Sequence, residues 1–255
     1  MDSLDKNKPN ILLDLDSTVI YSVKHGKEFT NKDKLAPPHK MGTYFDVYER
    51  PNLQPFLETI FEKYNVSIWT AASKDYALFI IDKILIGSNT DRAIHYILFD
   101  YHRKISDELT GDSKNLPLLH DEFKIKHFTN INTFILDDND EVYNCQPHKC
   151  MIAYPFVAKN SDAHKDTFLA DILPIITEIA NQPEDLQTLV VKTNNKTIVK
   201  YDLKTGTPTP KSDDTDDTDD DTDDTDDTDD TDDTDDTDDT DDDTDDDTDD
   251  DTDDD

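Results

Sequence analysis

Between Asn10 and Asp16 the chain reads NILLDLD, an apolar run that ends on two carboxylates two residues apart. A run this short and apolar fits a strand buried on both faces, and such a strand needs helices packed above and below it. The rest of the sequence supplies them. Tyr44 to Tyr48 alternates and reads as a small β insert after the first strand, and Pro51 then opens a helical pattern carrying Leu53, Phe56, Leu57, Ile60 and Phe61. Val66 to Thr70 (VSIWT) is a second buried strand, followed from Lys74 by a helix with Tyr76, Phe79, Ile80 and Ile84 on one side. Further strands are expected at Tyr96 to Phe99, Thr133 to Asp137 and Met151 to Phe156. Further helices are expected near Leu116 to Phe123 and Asp166 to Ala180. Strands alternating with helices imply right-handed crossovers and a central, mainly parallel sheet, hence an α/β, Rossmann-like fold.

In such sheets ligands bind beyond the carboxyl ends of the strands. Here those ends read Asp14 and Asp16, Thr70, and Asp137 and Asp138. Asp14 and Asp16, two apart on extended chain, point to the same side. Two carboxylates so close oppose each other's ionisation unless a cation is near, and a hard divalent ion with oxygen ligands resolves the conflict. Magnesium is the natural candidate. Taken alone, Asp-x-Asp is equally a strand end with solvated acids; a second acidic strand end at Asp137 and Asp138, meeting the first, is what argues for a metal site. Lys114 taken alone is a surface lysine, but beside crowded carboxylates it can bind a transferred phosphoryl group.

Charge is segregated along the chain. The formal charge is -36, but 31 of the 61 acidic residues lie in the 43 residues from Asp213 to Asp255, which otherwise contain only Thr. That tail has nothing to bury and repels itself, so disorder is expected there. Its charge suits basic protein partners and argues against direct contact with nucleic acid, whose phosphates it repels. The two cysteines, Cys145 and Cys150, make neither a disulfide framework nor a zinc site by spacing. The polar start, MDSLDKNKPN, has no apolar signal core, and no apolar run approaches the ~18 to 20 residues of a membrane span. A soluble intracellular protein, nuclear or cytoplasmic, is the expectation.

The string DLDST, followed by Val19, resembles the first motif of the haloacid-dehalogenase-type phosphatases, in the form used by the FCP/SCP (NIF-like) phosphatases of the RNA polymerase II carboxy-terminal domain. The resemblance continues in order. Glu49-Arg50-Pro51 with Phe56-Leu57 is similar to that family's Arg-Pro helix start, Thr70-Ala71-Ala72 with Tyr76-Ala77 to its second motif, and Lys114-Asn115-Leu116 to its third. Ile135-Leu136-Asp137-Asp138, with Val142-Tyr143 and Pro147, is similar to its fourth. The resemblance implies a haloacid-dehalogenase fold and hydrolysis of phosphoserine or phosphothreonine peptides. By it, Asp14 is the nucleophile that forms an aspartyl-phosphate, and Asp16 the acid and then the base. Thr70 and Lys114 hold the phosphoryl oxygens. Magnesium is bound by Asp14, the backbone carbonyl of Asp16 and Asp138, with Asp137 supporting that shell and Thr18 orienting the first loop. One departure stands out: where the family commonly has an Arg after a Leu-Phe strand end, this chain reads Leu98-Phe99-Asp100-Tyr101-His102-Arg103. Either Arg103 substitutes, or the substrate is held differently.

The domain organisation expected is an N-terminal extension at 1–9, a phosphatase domain at 10–185, a β-hairpin extension at 186–204 around Asn194-Asn195, and a linker and acidic tail at 205–255. Two alternatives stand beside a protein phosphatase. One is a phosphatase of nucleic-acid ends or small metabolites, which the same aspartate chemistry serves; the other is a non-catalytic protein whose acidic tail binds basic partners. Because the tail has no apolar side chain to pack, deleting everything after Lys211 is expected to leave the thermal unfolding midpoint unchanged. Circular dichroism melts of both chains check this, and a large drop in midpoint for the shorter one would contradict the disorder assigned to the tail.

Overall fold

The structure, a computed structural model, describes residues 4–129, 132–147 and 149–181 and the backbone of 188–192 and 198–202. The first apolar run is β1 (Asn10–Leu13), at the centre of a five-stranded parallel sheet. β5 (Asn65–Trp69) and then β6 (Ile94–Leu98) flank it on one side, and β7 (Thr133–Asp137) and β8 (Cys150–Ile152) on the other; the three strands between β1 and β5 belong to the insert. Asn10 to Leu13 pair with Asn65 to Ile68 and with Thr133 to Leu136. The chain builds outward from β1 one way and then returns to build the other way, so the carboxyl end of β1 is a switch point that opens a crevice between β1 and its neighbours.

The period-2 alternation of a strand explains the two-sided core. Ile11 and Leu13 face one layer with Val66, Ile68, Phe134 and Leu136. Leu12 faces the other with Trp69, Leu98 and Ile135. On the first side pack α1 (Leu53–Lys63), α2 (Lys74–Ile80) and α6 (Phe168–Asn181). Leu53, Phe56, Leu57 and Ile60 form the buried stripe of α1, each side chain worth about 1.5–3 kcal/mol on burial. The second side is covered by α4 (Pro117–Asp121) and α5 (Asp140–Cys145), through Leu119 and Val142.

The insert after β1 is a three-stranded antiparallel sheet, β2 (Ile20–Lys24), β3 (His39–Met41) and β4 (Phe45–Glu49), with β4 in the middle. Only β4 was legible as a strand, because β3 is three residues long and polar. The helix expected from Pro51 starts at Leu53, since Asn52 turns left-handed at φ 67°. The strand expected to reach Phe156 stops at Ile152. Pro155 lacks the N–H a ladder needs, and Phe156 N–H turns away to the Ser17 carbonyl at 2.6 Å. α3 (Asp100–Thr110) was not expected from the sequence; it buries only Ser106, and its apolar residues at helical spacing, Tyr101, Ile105 and Leu109, are left exposed or half-buried. α2 runs on into a π-helical turn over Ile81–Ile86.

β9 (Thr188–Lys192) and β10 (Ile198–Asp202) pair antiparallel; the Asn194-Asn195 turn between them lies outside the described residues, as do the linker and the Asp/Thr tail at 205–255. Among the described residues no helix is long and apolar enough to cross a membrane.

One buried cation ties the layers together. Arg50, with a fully buried side chain, grips Asp166 through both Nε and Nη2 at 2.9 Å and donates to the carbonyls of Thr18 at 2.9 Å and Tyr154 at 3.2 Å. Its guanidinium lies 4.7 Å from the Tyr154 ring centre and 4.4 Å from that of Phe168. The loop after β1, the exit of β8 and the start of α6 thus share one anchor. Removing one partner of such a pair strands a buried charge. Arg50→Ala is therefore expected to destabilise the protein by about 3–5 kcal/mol, measured by urea unfolding. The double change Arg50→Met with Asp166→Leu is expected to recover most of that loss.

Candidate active site

The loop that follows β1 wraps around one carbonyl: the N–H groups of Thr18, Val19 and Ile20 all point to Leu15 O, at 3.3, 2.9 and 3.1 Å. Ser17 takes a left-handed φ of 62° to make the turn. This curl sets Asp14 and Asp16 at the mouth of the crevice and buries Thr18, whose hydroxyl donates to Asp138 Oδ1 at 2.9 Å. The end of β7 contributes Asp137 and Asp138. The end of β5 contributes Thr70, buried, whose Oγ1 accepts from Ala72 N–H at 3.1 Å.

Lys114 enters from the segment between α3 and α4. Its ammonium donates to Asp14 Oδ1 at 2.5 Å and to Asp137 Oδ2 at 2.7 Å, and its side chain is only 4% exposed. Its backbone is left-handed, at φ 56°, a conformation that costs a non-glycine residue about 1–3 kcal/mol and persists only where the surroundings hold it. Gln146 is that holder. Buried after α5, it donates from Nε2 to the Lys114 carbonyl at 2.9 Å and accepts from Leu116 N–H at 3.0 Å.

Asp14, Asp16, Thr70, Lys114, Asp137 and Asp138 line one cleft of about 820 Å³, and Thr18 stands behind it against Asp138. All seven residues singled out from sequence therefore meet. Within the cleft, one oxygen each of Asp14, Asp137 and Asp138 lie within 4.8 Å of one another. Three hard oxygen donors gathered at that spacing are a candidate site for a hard metal ion. Both oxygens of Asp137 are already engaged, Oδ2 by Lys114 and Oδ1 by the Asn139 N–H at 2.9 Å. The carboxylate of Asp16 stands apart from that cluster and takes a hydrogen bond at Oδ1 from the Tyr76 hydroxyl at 2.5 Å.

Burial lifts the Asp16 carboxyl to about 6; the Tyr76 hydrogen bond works against this, and the charges of Asp14 and Asp138 add to it. Asp138 is likewise lifted to about 6, by burial and then by Asp14, with Thr18 easing it. Burial also pushes Asp137 upward, against the pull of Lys114. Burial on its own would depress Lys114, but Asp14 and Asp137 more than offset it and hold the ammonium above its ordinary range.

Arg103 lines the same cleft and is partly tethered by Asp107 one turn along α3. Asp100 pairs with Lys104 at 3.2 Å and is not among the lining residues. Sequence reasoning missed Tyr76 and Gln146 as parts of the site. Both lie inside stretches that match the family motifs, but a tyrosine on an apolar helix face reads as core, and a lone glutamine carries no signal.

The family described as NLI interacting factor-like phosphatase matches residues 9–187. The "Putative CTD phosphatase-like protein 355R" of Invertebrate iridescent virus 6 is 34% identical over 180 residues, covering 68% of this chain and 99% of that protein. The "Probable C-terminal domain small phosphatase" of Dictyostelium discoideum is 30% identical over 188 residues, covering 72% of this chain and 55% of that one. A solved structure described as "The Structure of Fcp1, an essential RNA polymerase II CTD phosphatase" is 18% identical with a TM-score of 0.41, covering 69% of this chain and 51% of that chain.

A carboxyl raised above its unfolded value disfavours its charged form in the folded state, so at Asp138 stability is lost as pH rises from about 4 to about 6 and stays lost above it. Lys114 acts in the opposite sense, because it neutralises two buried carboxylates. In metal-free protein at pH 7.5, Asp138→Asn is expected to raise the urea midpoint. Lys114→Met is expected to lower stability by about 3–5 kcal/mol. Shifts in the same direction for both variants would contradict this electrostatic account.

Proposed function

This chain belongs to the NLI interacting factor-like phosphatase family, and we propose that it is a magnesium-dependent protein serine/threonine phosphatase working through an aspartyl-phosphate on Asp14. The observation that carries the reading is Lys114 bound to Asp14 Oδ1 on the floor of a cleft that Asp16 and Asp138 share. That ammonium holds the Asp14 carboxylate in one orientation, and its charge faces the site where a phosphoryl group enters.

In the first step an oxygen of Asp14 bonds to phosphorus as the bond to the seryl or threonyl oxygen breaks, and Asp16 gives its proton to that leaving oxygen. In the second, water attacks the phosphorus, Asp16 takes its proton, and phosphate departs to restore Asp14. Lys114 and the Thr70 hydroxyl stabilise the phosphoryl oxygens. Asp14, the Asp16 carbonyl and Asp138 are the residues that would hold magnesium, with Asp137 behind them and Thr18 orienting Asp138. When bound, the ion neutralises negative charge that phosphate brings among these carboxylates.

An open cleft supports an extended phosphopeptide as substrate. The names of the viral and Dictyostelium relatives speak for a carboxy-terminal domain such as that of RNA polymerase II. Arg103, on the cleft wall, supplies the cation that the resemblance puts at Asp100. Asp140 and Glu141 on the same wall disfavour nucleic-acid ends. The Asp/Thr tail offers basic protein partners a separate attraction.

Purified Asp14→Asn is expected to lose turnover of both an aryl phosphate and a phosphopeptide while keeping its circular dichroism spectrum, and near wild-type rates would sink the mechanism. Metal titration by calorimetry separates ligand from support. Asp137→Ala is expected to weaken magnesium binding by about 10–100-fold and Asp138→Ala by more. Arg103→Ala is expected to raise KM for a phosphopeptide about tenfold, the size of one charge-assisted hydrogen bond.

A further inference from the structure

The Tyr76 phenol is 9% exposed, on α2, and its hydroxyl reaches from the core to Oδ1 of Asp16, which lines the cleft, 2.5 Å away. Tyr64, buried more deeply still, satisfies its hydroxyl on a helix carbonyl, that of Ile176. A hydroxyl placed for packing alone has such carbonyls to use. Tyr76 is instead built into a three-element chain. The Ser22 hydroxyl, from β2 of the insert, hydrogen-bonds the Tyr76 oxygen, and Phe45, from β4, stands edge-on to its ring at 5.8 Å and 84°. A phenol has one proton. With that proton given to Asp16, the Ser22 hydroxyl is the donor to Tyr76, and the direction of the whole chain is fixed.

We propose that Tyr76 is a positioning residue which, aligned by Ser22 and Phe45, commits Asp16 Oδ1 and leaves Oδ2 as the oxygen that exchanges the proton with the substrate. The inference rests on Asp16 being the acid. It makes the β insert part of the catalytic apparatus, because an insert residue sets the geometry of a group on the main sheet. No proton leaves Tyr76 or Ser22 in the reaction: Asp16 Oδ2 loses its proton to the departing oxygen and regains one from the attacking water, while Oδ1 stays hydrogen-bonded throughout.

A misaligned acid slows the departure of poor leaving groups most. The test is kcat/KM, with magnesium present, for a graded series from 4-nitrophenyl phosphate to phenyl phosphate. For Tyr76→Phe the loss on phenyl phosphate is expected to exceed that on 4-nitrophenyl phosphate by about tenfold. Ser22→Ala is expected to give a smaller ratio of the same sign, and it carries the test if Tyr76→Phe does not fold. Asp16→Asn is the reference and is expected to steepen the series further. An equal loss across the series for Tyr76→Phe, or for Ser22→Ala where only that variant folds, with a steep series for Asp16→Asn, overturns the positioning role and leaves the acid assignment standing. A flat series for Asp16→Asn overturns the acid assignment and the inference together. Independently of turnover, the ¹³C resonance of the Asp16 carboxyl carbon in metal-free protein is expected to move in both variants. A resonance unmoved by either change also overturns the inference.

Discussion

The Lys114 ammonium between Asp14 and Asp137 is the interaction on which the site depends. Two neighbouring strands of one parallel sheet end in acids, and the packing that makes the sheet stable forces those ends together. Without an internal cation the carboxylates would repel one another in a place where water screens poorly. Lys114 resolves the conflict without filling the cluster, since it engages a single oxygen of Asp14 and none of Asp138. Its strained backbone, clamped by Gln146, is a cost accepted for delivering one charge to one point.

Around that charge the loop after β1 is held from two directions. From behind, Arg50 grips the Thr18 carbonyl while the Thr18 hydroxyl reaches Asp138. From the side of the insert, Tyr76 takes Asp16. The two acids of NILLDLD therefore differ in surroundings although they are two residues apart. Asp14 is paired with a cation, and Asp16 is hydrogen-bonded to a neutral phenol and lifted toward neutrality by burial. This difference suits one carboxylate to attack and the other to carry a proton, as two acids in one site divide their roles when their environments diverge.

The sequence by itself determined the layered α/β frame and the edge at which the acids gather. Apolar runs such as ILL and FIL, with acids at their ends, leave only one way to bury the strand and expose the charge, and the β7 span was legible to the residue. The helical stripe at Leu53 to Ile60 was equally plain, because a stripe is a local pattern of side-chain polarity, and the last helix was expected near Asp166 to Ala180 where it runs from Phe168 to Asn181. Where that pattern is weak or misleading, less was legible: the apolar residues of α3 are left largely outside the core, β3 is short, and the expected strand beyond Ile152 is ended by Pro155 and the hydrogen bond of Phe156 to Ser17. What only the tertiary structure decided is which side chain serves which. Lys114 meets Asp14 across 100 residues, Arg50 meets Asp166 across 116, and Tyr76 meets Asp16 across 60. The physical reason is range: burial and periodicity are written in neighbouring residues, whereas a hydrogen bond between distant segments exists only once the packing of the sheet and its helices has fixed both ends.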